Sequence, residues 1–458
     1  MKVAELTRAA GPLLAVDIEH GTHAAVIEPN SAFWMLVDKH RIDEATADHL
    51  PMMQAWRDQA DDFAREMQAL RFGLTPSGVY LNPTERCNLD CSYCYLPRSQ
   101  RRDGQRMTTD RLLGALERLR DYFRTVMPSG RLPRAIFHGA EPLMNRDAVF
   151  AAIDAFGADF DFGVQTNATL LDDSAIEFLT ARNVSIGLSL DGPLAGITDA
   201  TRKTWAGKSV HDKVLDAMAR LRGYGSWSVI ATCTTENLPH LNALVDLFYA
   251  AEVPTCMLNA LRCTLPDART VKPDDTTMAS AFIAALEHSH ALFRETGRKL
   301  VVANFANILI GILAPTARRL MCDLSPCGGG RAFFALAADG SLYPCSEFIG
   351  LPRFNGGNLF DDRGIETALA SEAFRSVTAR NVDTFAPCND CPIRHFCGSP
   401  CPAEAHEMNG GMDRTGAFCG FYKAQVRYAL RLIADGRADD FLWDGWDDAT
   451  ETVFSHFG

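Results

Sequence analysis

Eleven of the fourteen cysteines in this 458-residue chain fall into two groups, and that grouping limits what the chain can build more than any other feature. The first group is Cys87, Cys91 and Cys94, a C-x3-C-x2-C pattern inside NPTERCNLDCSYCYLP. The second holds Cys322, Cys327, Cys345, Cys388, Cys391, Cys397, Cys401 and Cys419. Grouped cysteines in a reducing compartment read as metal ligands or catalytic thiols rather than disulfides. The remaining three, Cys233, Cys256 and Cys263, are scattered and read as small buried hydrophobes.

Three closely spaced thiolates can ligate three irons of a cubane cluster, whereas a full set is four. One iron is then left open to chelate an amine and a carboxylate, the pair that methionine offers. A structural zinc site wants four ligands, and no nearby His or Cys completes this one.

The flanking pattern fits an α/β domain. GVYLNPT, AIFHG, FDFGVQTN, VSIGLSLDG, WSVIATCTT and TCMLNAL are six short apolar runs separated by helical stretches such as TTDRLLGALERLRDYFRTVM. That order predicts a parallel sheet with right-handed crossovers. Upstream, LLAVDIEHGTHAAVIEP reads as two strands, while NSAFWMLVDKHR and DEATADHLPMMQAWRDQADDFAREMQAL read as helices. The expected division is an N-terminal module over 1–75, an α/β core over 76–300, a cysteine-rich domain over 315–425 and a helical tail over 426–458.

The net charge of −12 argues against nucleic-acid binding. The one basic cluster, Arg98 to Arg106, reads as a solvated loop. No apolar run spans a bilayer, and no signal-peptide pattern opens the sequence, so a cytoplasmic protein without a membrane partner is expected.

The first cysteine motif resembles the signature of the radical S-adenosylmethionine (SAM) superfamily. That resemblance implies a partial (β/α)6 barrel and places Tyr93 against the SAM adenine. HGAEP resembles the family's GGE motif, with Gly139, Ala140 and Glu141 meeting the SAM amino group. Asn167 stands where related chains approach the ribose; Ser189 and Arg202 resemble residues that reach the carboxylate. The implied chemistry is one-electron reduction of SAM and hydrogen abstraction from a substrate.

The second group, C-x12-G-x4-C followed by C-x2-C-x5-C-x3-C and a distant cysteine, resembles the SPASM domain. The resemblance implies two auxiliary [4Fe–4S] clusters, three clusters in all. Cys322, Cys327, Cys345 and Cys401 would hold the first, and Cys388, Cys391, Cys397 and Cys419 the second. It also implies a precursor peptide or protein substrate and an electron donor such as flavodoxin or ferredoxin. Sulfatase maturases resemble this chain, but carry Asp directly after the cysteine matching Cys345. Here Ser346 and then Glu347 follow, so Glu347 is the candidate acid/base group. The leading expectation is a maturase that cross-links a precursor peptide, with the N-terminal module suited to leader recognition. Formylglycine formation is the second reading, and a non-catalytic iron–sulfur or zinc module the third.

Overall fold

The computed structural model describes residues 9–10, 13–42 and 51–448. Two sheets organise them. The first is antiparallel, in the order β1 (Ala9–Ala10), β2 (Leu13–Val16), β3 (His23–Glu28) and β4 (Phe33–Asp38). The expectation of a helix over NSAFWMLVDKHR is corrected here. FWMLV is a continuous apolar run, from which periodicity alone cannot separate strand from helix. The preceding turn decides it. The Glu28 carboxylate accepts from the backbone N–H groups of Asn30 (3.0 Å) and Ser31 (2.7 Å), and Ala32 takes φ +58°. The chain therefore reverses, and β4 pairs with β3 over six residues, from Glu28↔Phe33 to His23↔Asp38. The second expected helix is present as Pro51–Phe72; its first residues, 43–50, lie outside the described residues, as does the end of the tail.

The second sheet has nine strands. β5 (Gly78–Leu81), β6 (Arg134–Phe137), β7 (Asp161–Thr166), β8 (Ser185–Ser189), β9 (Trp227–Cys233) and β10 (Thr255–Ala260) are the six expected strands. Each pairs in parallel with the next, in chain order. Their near-continuous burial matches a sheet covered on both faces. The intervening helices are amphipathic. In Thr109–Val126, Leu112, Ala115, Leu116, Leu119 and Phe123 form the buried stripe, and Thr108 caps the helix by accepting from the Arg111 N–H.

The sheet extends past the expected core at both edges. β11 (Val301–Val302) adds beside β10, and β12 (Phe333–Leu336) pairs in parallel with β5. β12 then forms a hairpin with β13 (Leu342–Tyr343). The cysteine-rich segment is thus continuous with the core sheet; Phe334 of β12 stacks on Phe123 at 6.0 Å. The N-terminal sheet is tied in as well. Trp34 Nε1 donates to the Ile312 carbonyl (2.9 Å), and Arg431 donates to that of Ile18 (3.0 Å). Among the described residues no helix is long and apolar enough to cross a membrane.

Candidate active site

Parallel strands place the loops that leave their C-terminal ends on one edge of the sheet, where α/β barrels assemble their sites. A cavity of about 370 Å³ opens there. Cys87, Cys91 and Cys94, on the loop after β5, line it, together with Tyr93, Gly139, Ala140, Asn167, Ser189 and Arg202 from the next strand ends. The structure therefore brings together every residue the sequence proposed for the SAM region except one. Glu141 is fully enclosed behind the cavity wall. Its Oε1 accepts from Leu143 N–H (3.1 Å) and the Thr166 hydroxyl (2.8 Å), and its Oε2 from Asn167 N–H (2.8 Å). Burial pushes this carboxyl up to about 7, against three donors that favour the ionised form. Its place in the structure is to fix the Thr166–Asn167 turn. Glu141→Gln presents an NH₂ to at least one of these donors. It is expected to cost about 1–3 kcal/mol, read as a lowered denaturant midpoint.

Two backbone details shape the rim. Gly139 sits at φ +102°, and a Cβ there would fall 2.3 Å from the Asn82 amide, so any side chain would be strained and would have to displace Asn82. Ala140 is tolerated because the positive φ falls on its neighbour. Ala168, in contrast, itself adopts φ +63°, an uncommon conformation for a residue with a Cβ. Hydrogen bonds hold it there: Thr166 Oγ1 accepts from Ala168 N–H (3.1 Å), and Asn167 Oδ1 from Thr169 N–H (3.0 Å).

Behind the cysteine loop lies a buried ionic hub. Asp191, fully enclosed, accepts from the Tyr93 hydroxyl (2.5 Å), Arg202 Nε (3.0 Å) and Thr232 N–H (2.9 Å). Arg202 also donates to the Tyr93 hydroxyl. Burial opposes the Arg202 charge, but Asp191 and Tyr93 hold its pKa well above the ordinary value. Asp191 thereby fixes the positions of both Tyr93 and Arg202.

The cavity continues into the cysteine-rich segment, where Arg262, Cys322, Asp323, Glu347, Cys397, Tyr422 and Gln425 also line it. The Glu347 side chain keeps 22% exposure, directed into this space, with Arg262 Nε at 3.8 Å. Burial pushes its carboxyl up to about 7, partly offset by Arg262.

The other thiols fall into two sets. Cys388, Cys391, Cys397 and Cys419 all line one small second cavity. Cys327 and Cys345 flank Gly329: a Cβ built on it would lie 3.6 Å from Cys327 Sγ and 3.3 Å from Cys345 Cβ. Burial pushes Cys345 well above the usual thiol range, reinforced by the neighbouring Cys322 and Cys327. Cys401 heads the Pro402–Asn409 helix; burial pushes its thiol well above the usual range, offset only in part by the Glu404 N–H at the helix start.

The donor set suits iron–sulfur clusters in three ways. The thiols stand around hollows; among the described residues no three His, Cys, Asp or Glu side chains converge tightly enough for a single ion. Backbone N–H groups point at sulfur, from Leu89 to Cys87, Gly329 to Cys327 and Glu404 to Cys401, each at 3.4 Å. Buried Arg380, bonded to the Ser399 carbonyl (2.8 Å) and hydroxyl (3.0 Å), lies within electrostatic reach of Cys327, Cys388, Cys401 and Cys397. Burial pushes Cys91 up to about 11, so metal binding there must displace a proton.

A parallel sheet with a three-cysteine loop at its ligand edge, followed by eight further thiols, is the arrangement of an iron–sulfur protein. Residues 81–248 match the model of the radical SAM superfamily, and 327–392 that of an iron–sulfur cluster-binding domain, SPASM. This chain belongs to the radical SAM superfamily and carries a SPASM domain. An uncharacterized protein of Archaeoglobus fulgidus is 38% identical over 416 residues, covering 91% of this chain and 93% of the relative. A cysteine-type anaerobic sulfatase-maturating enzyme of Clostridium perfringens is 22% identical, over 79% of this chain and 98% of its own. The structure of Streptococcus suis SuiB bound to precursor peptide SuiA shares the fold, with a TM-score of 0.57 at 12% identity, covering 86% of this chain and 95% of that one.

The sequence motifs assign no role to Asp191, Arg262 or Gln425. The rule that chemistry follows strand ends would have found Arg262, two residues past β10. Nothing in the sequence marks Gln425.

Proposed function

We propose that this chain is a peptide maturase that binds SAM on a [4Fe–4S] cluster held by Cys87, Cys91 and Cys94. It would oxidise a ribosomally made precursor peptide, joining two of its side chains. One observation carries this reading: a single cavity is lined both by the three-cysteine loop and by Cys322, Glu347 and Cys397 of the SPASM segment. A substrate in it touches both regions. Cluster-bound SAM supplies one-electron hydrogen abstraction. The protein's own task is to hold one C–H bond at that point and to exclude water. Tyr93 and Arg202, pre-set by Asp191, would position the cofactor; Asn167 and Ser189 offer further polar contacts. Glu347 would take up the proton released as the substrate is oxidised.

Cys322, Cys327, Cys345 and Cys401 would hold one auxiliary cluster and Cys388, Cys391, Cys397 and Cys419 a second; such clusters would supply an acceptor for the single electron that remains after hydrogen abstraction. Reconstituted protein is then expected to bind about twelve irons, and Cys388→Ala/Cys419→Ala about eight. Iron and sulfide analysis checks this; equal iron content in the two would remove the second auxiliary cluster. The external electron would come from a small redox protein such as flavodoxin or ferredoxin, and the N-terminal sheet would recognise the leader.

A second reading, formylglycine formation, is favoured by the Clostridium relative and by Glu347 reaching the cavity from its shifted position. Mass spectrometry separates the two. Anaerobic incubation with SAM, dithionite and the peptides encoded beside the gene should give a product lighter by two hydrogens, with its thiols otherwise accounted for. Conversion of Cys to an aldehyde in a C-x-P-x-R peptide would instead establish the maturase of sulfatases. A third reading, a non-catalytic module, requires that no SAM be cleaved.

A further inference from the structure

Four carboxamides on the cavity wall away from the cysteine loop differ in how they are used; Asn259 is partly exposed and donates only to the Met257 sulfur (3.8 Å). Asn304 pairs with both backbone groups of Leu258: its Nδ2 donates to the carbonyl (3.0 Å), and its Oδ1 accepts from the N–H (3.2 Å). Asn307 accepts from the Arg319 and Leu320 N–H groups, both at 2.9 Å, and donates to the Leu320 carbonyl (3.0 Å). Gln425 is the exception. It is 1% exposed, yet neither Nε2 nor Oε1 has a partner. A buried amide without partners carries an uncompensated desolvation cost, so it calls for an explanation.

Its position supplies one. The Cys419–Ala434 helix turns Phe421, Tyr422, Gln425 and Val426 onto the cavity, at the spacing of one helix face. Arg262 stands beside them with loose partners only, the Tyr422 hydroxyl at 3.4 Å and Glu347 at 3.8 Å. This wall lies on the side of β9, β10 and the SPASM segment, whereas Tyr93, Asn167, Ser189 and Arg202 come from the β5 loop and the β7–β8 ends. A primary amide offers one donor and one acceptor side by side, the complement of a peptide group; Asn304 on Leu258 shows that pairing in the same wall.

Resting on the peptide-substrate reading above, we propose that Gln425 is the main-chain anchor of the substrate, pairing its amide with one peptide N–H and C=O while Arg262 donates to a neighbouring carbonyl. Gln425 is then a positioning residue that fixes how far the substrate segment reaches toward the cysteine loop.

The test uses the reconstituted, SAM-loaded full-length protein. A synthetic library of random decapeptides is equilibrated with it anaerobically, and the tightest retained peptide becomes the probe. Its peptide N–H groups are then replaced one at a time by ester oxygens. One ester is expected to weaken binding to the wild type by about tenfold. Gln425→Met should weaken the parent peptide by a similar factor, and in that variant the same ester should cause no further loss. Gln425→Met and Gln425→Leu should both melt no lower than the wild type, because each removes an unpaired amide. Unchanged peptide affinity in Gln425→Met overturns the anchor and leaves the peptide reading standing. Melting below wild type in both variants means that the resting protein already uses the amide, and also overturns it. Retention of no peptide by the wild type overturns both.

Discussion

Cys91→Ala is expected to abolish reductive SAM cleavage, with 5′-deoxyadenosine falling to the level of a protein-free control. The three-cysteine loop has no spare ligand. Cys87, Cys91 and Cys94 line the cavity, and the fourth iron position is the one that the SAM-binding reading leaves open. Cys91 is the most enclosed of the three, at 9% exposure, in a loop pinned to the Ala195–Thr201 region by Asp90 N–H to Lys203 (2.8 Å) and Ser92 N–H to Thr201 (2.9 Å). The loop therefore has little freedom to recruit a substitute. The fold should survive: Cys→Ala deletes one buried atom, and far-ultraviolet circular dichroism and melting of the apoprotein should change little. Liquid chromatography of the anaerobic reaction gives the answer. Cleavage that persists in Cys91→Ala at even a tenth of the wild-type rate would sink the assignment of this loop. Iron analysis of the variant separates loss of the cluster from loss of SAM binding.

How much of this was legible in the sequence follows from what each feature depends on. The six core strands and the three-cysteine loop are local patterns: a short apolar run, then a motif at its C-terminal end, repeated. β4 was not legible, because FWMLV carries no period and its fate was set by how Glu28 caps the turn before it. The extension of the sheet by β12 was not legible either. It requires residues 333–336 to pair with 78–81, across some 250 residues of intervening chain. That pairing makes the SPASM segment part of the same structural body as the core, where the sequence suggested a boundary near 315. For the site, the motif residues were legible one by one, but what Glu141 and Asp191 do was not. Glu141 reads as a ligand contact from its motif, and the structure shows it committed to three protein donors. Gln425 was invisible because one glutamine on an amphipathic helix carries no signal until its lack of partners is seen.

The second large effect is expected at Asp191. Asp191→Ala leaves the Arg202 guanidinium, 8% exposed, without its only carboxylate partner among the described residues, and strips the Tyr93 hydroxyl of its acceptor. Removing one partner of a buried ion pair typically costs about 3–5 kcal/mol, because the remaining charge is left desolvated. Two further bonds go with it only in part: Asn237 donates to the Asp191 backbone carbonyl (2.7 Å) and keeps its partner, whereas Thr232 N–H loses the carboxylate. The loss should appear in chemical denaturation of the apoprotein, so it does not depend on cluster loading. If the cost comes from the orphaned charge, a second substitution should recover much of it: Asp191→Ala/Arg202→Met should be more stable than Asp191→Ala alone. If the cost comes from the cavity left by the carboxylate, the double variant should be no better than the single. The same pair then separates stability from function. Arg202→Met removes a group proposed to position SAM, so the double variant should fold well and still bind SAM poorly, as read by isothermal titration of the reconstituted protein. Recovery of stability without recovery of SAM binding is the outcome that marks this hub as a scaffold for the ligand site. Recovery of both would assign Arg202 to the fold alone.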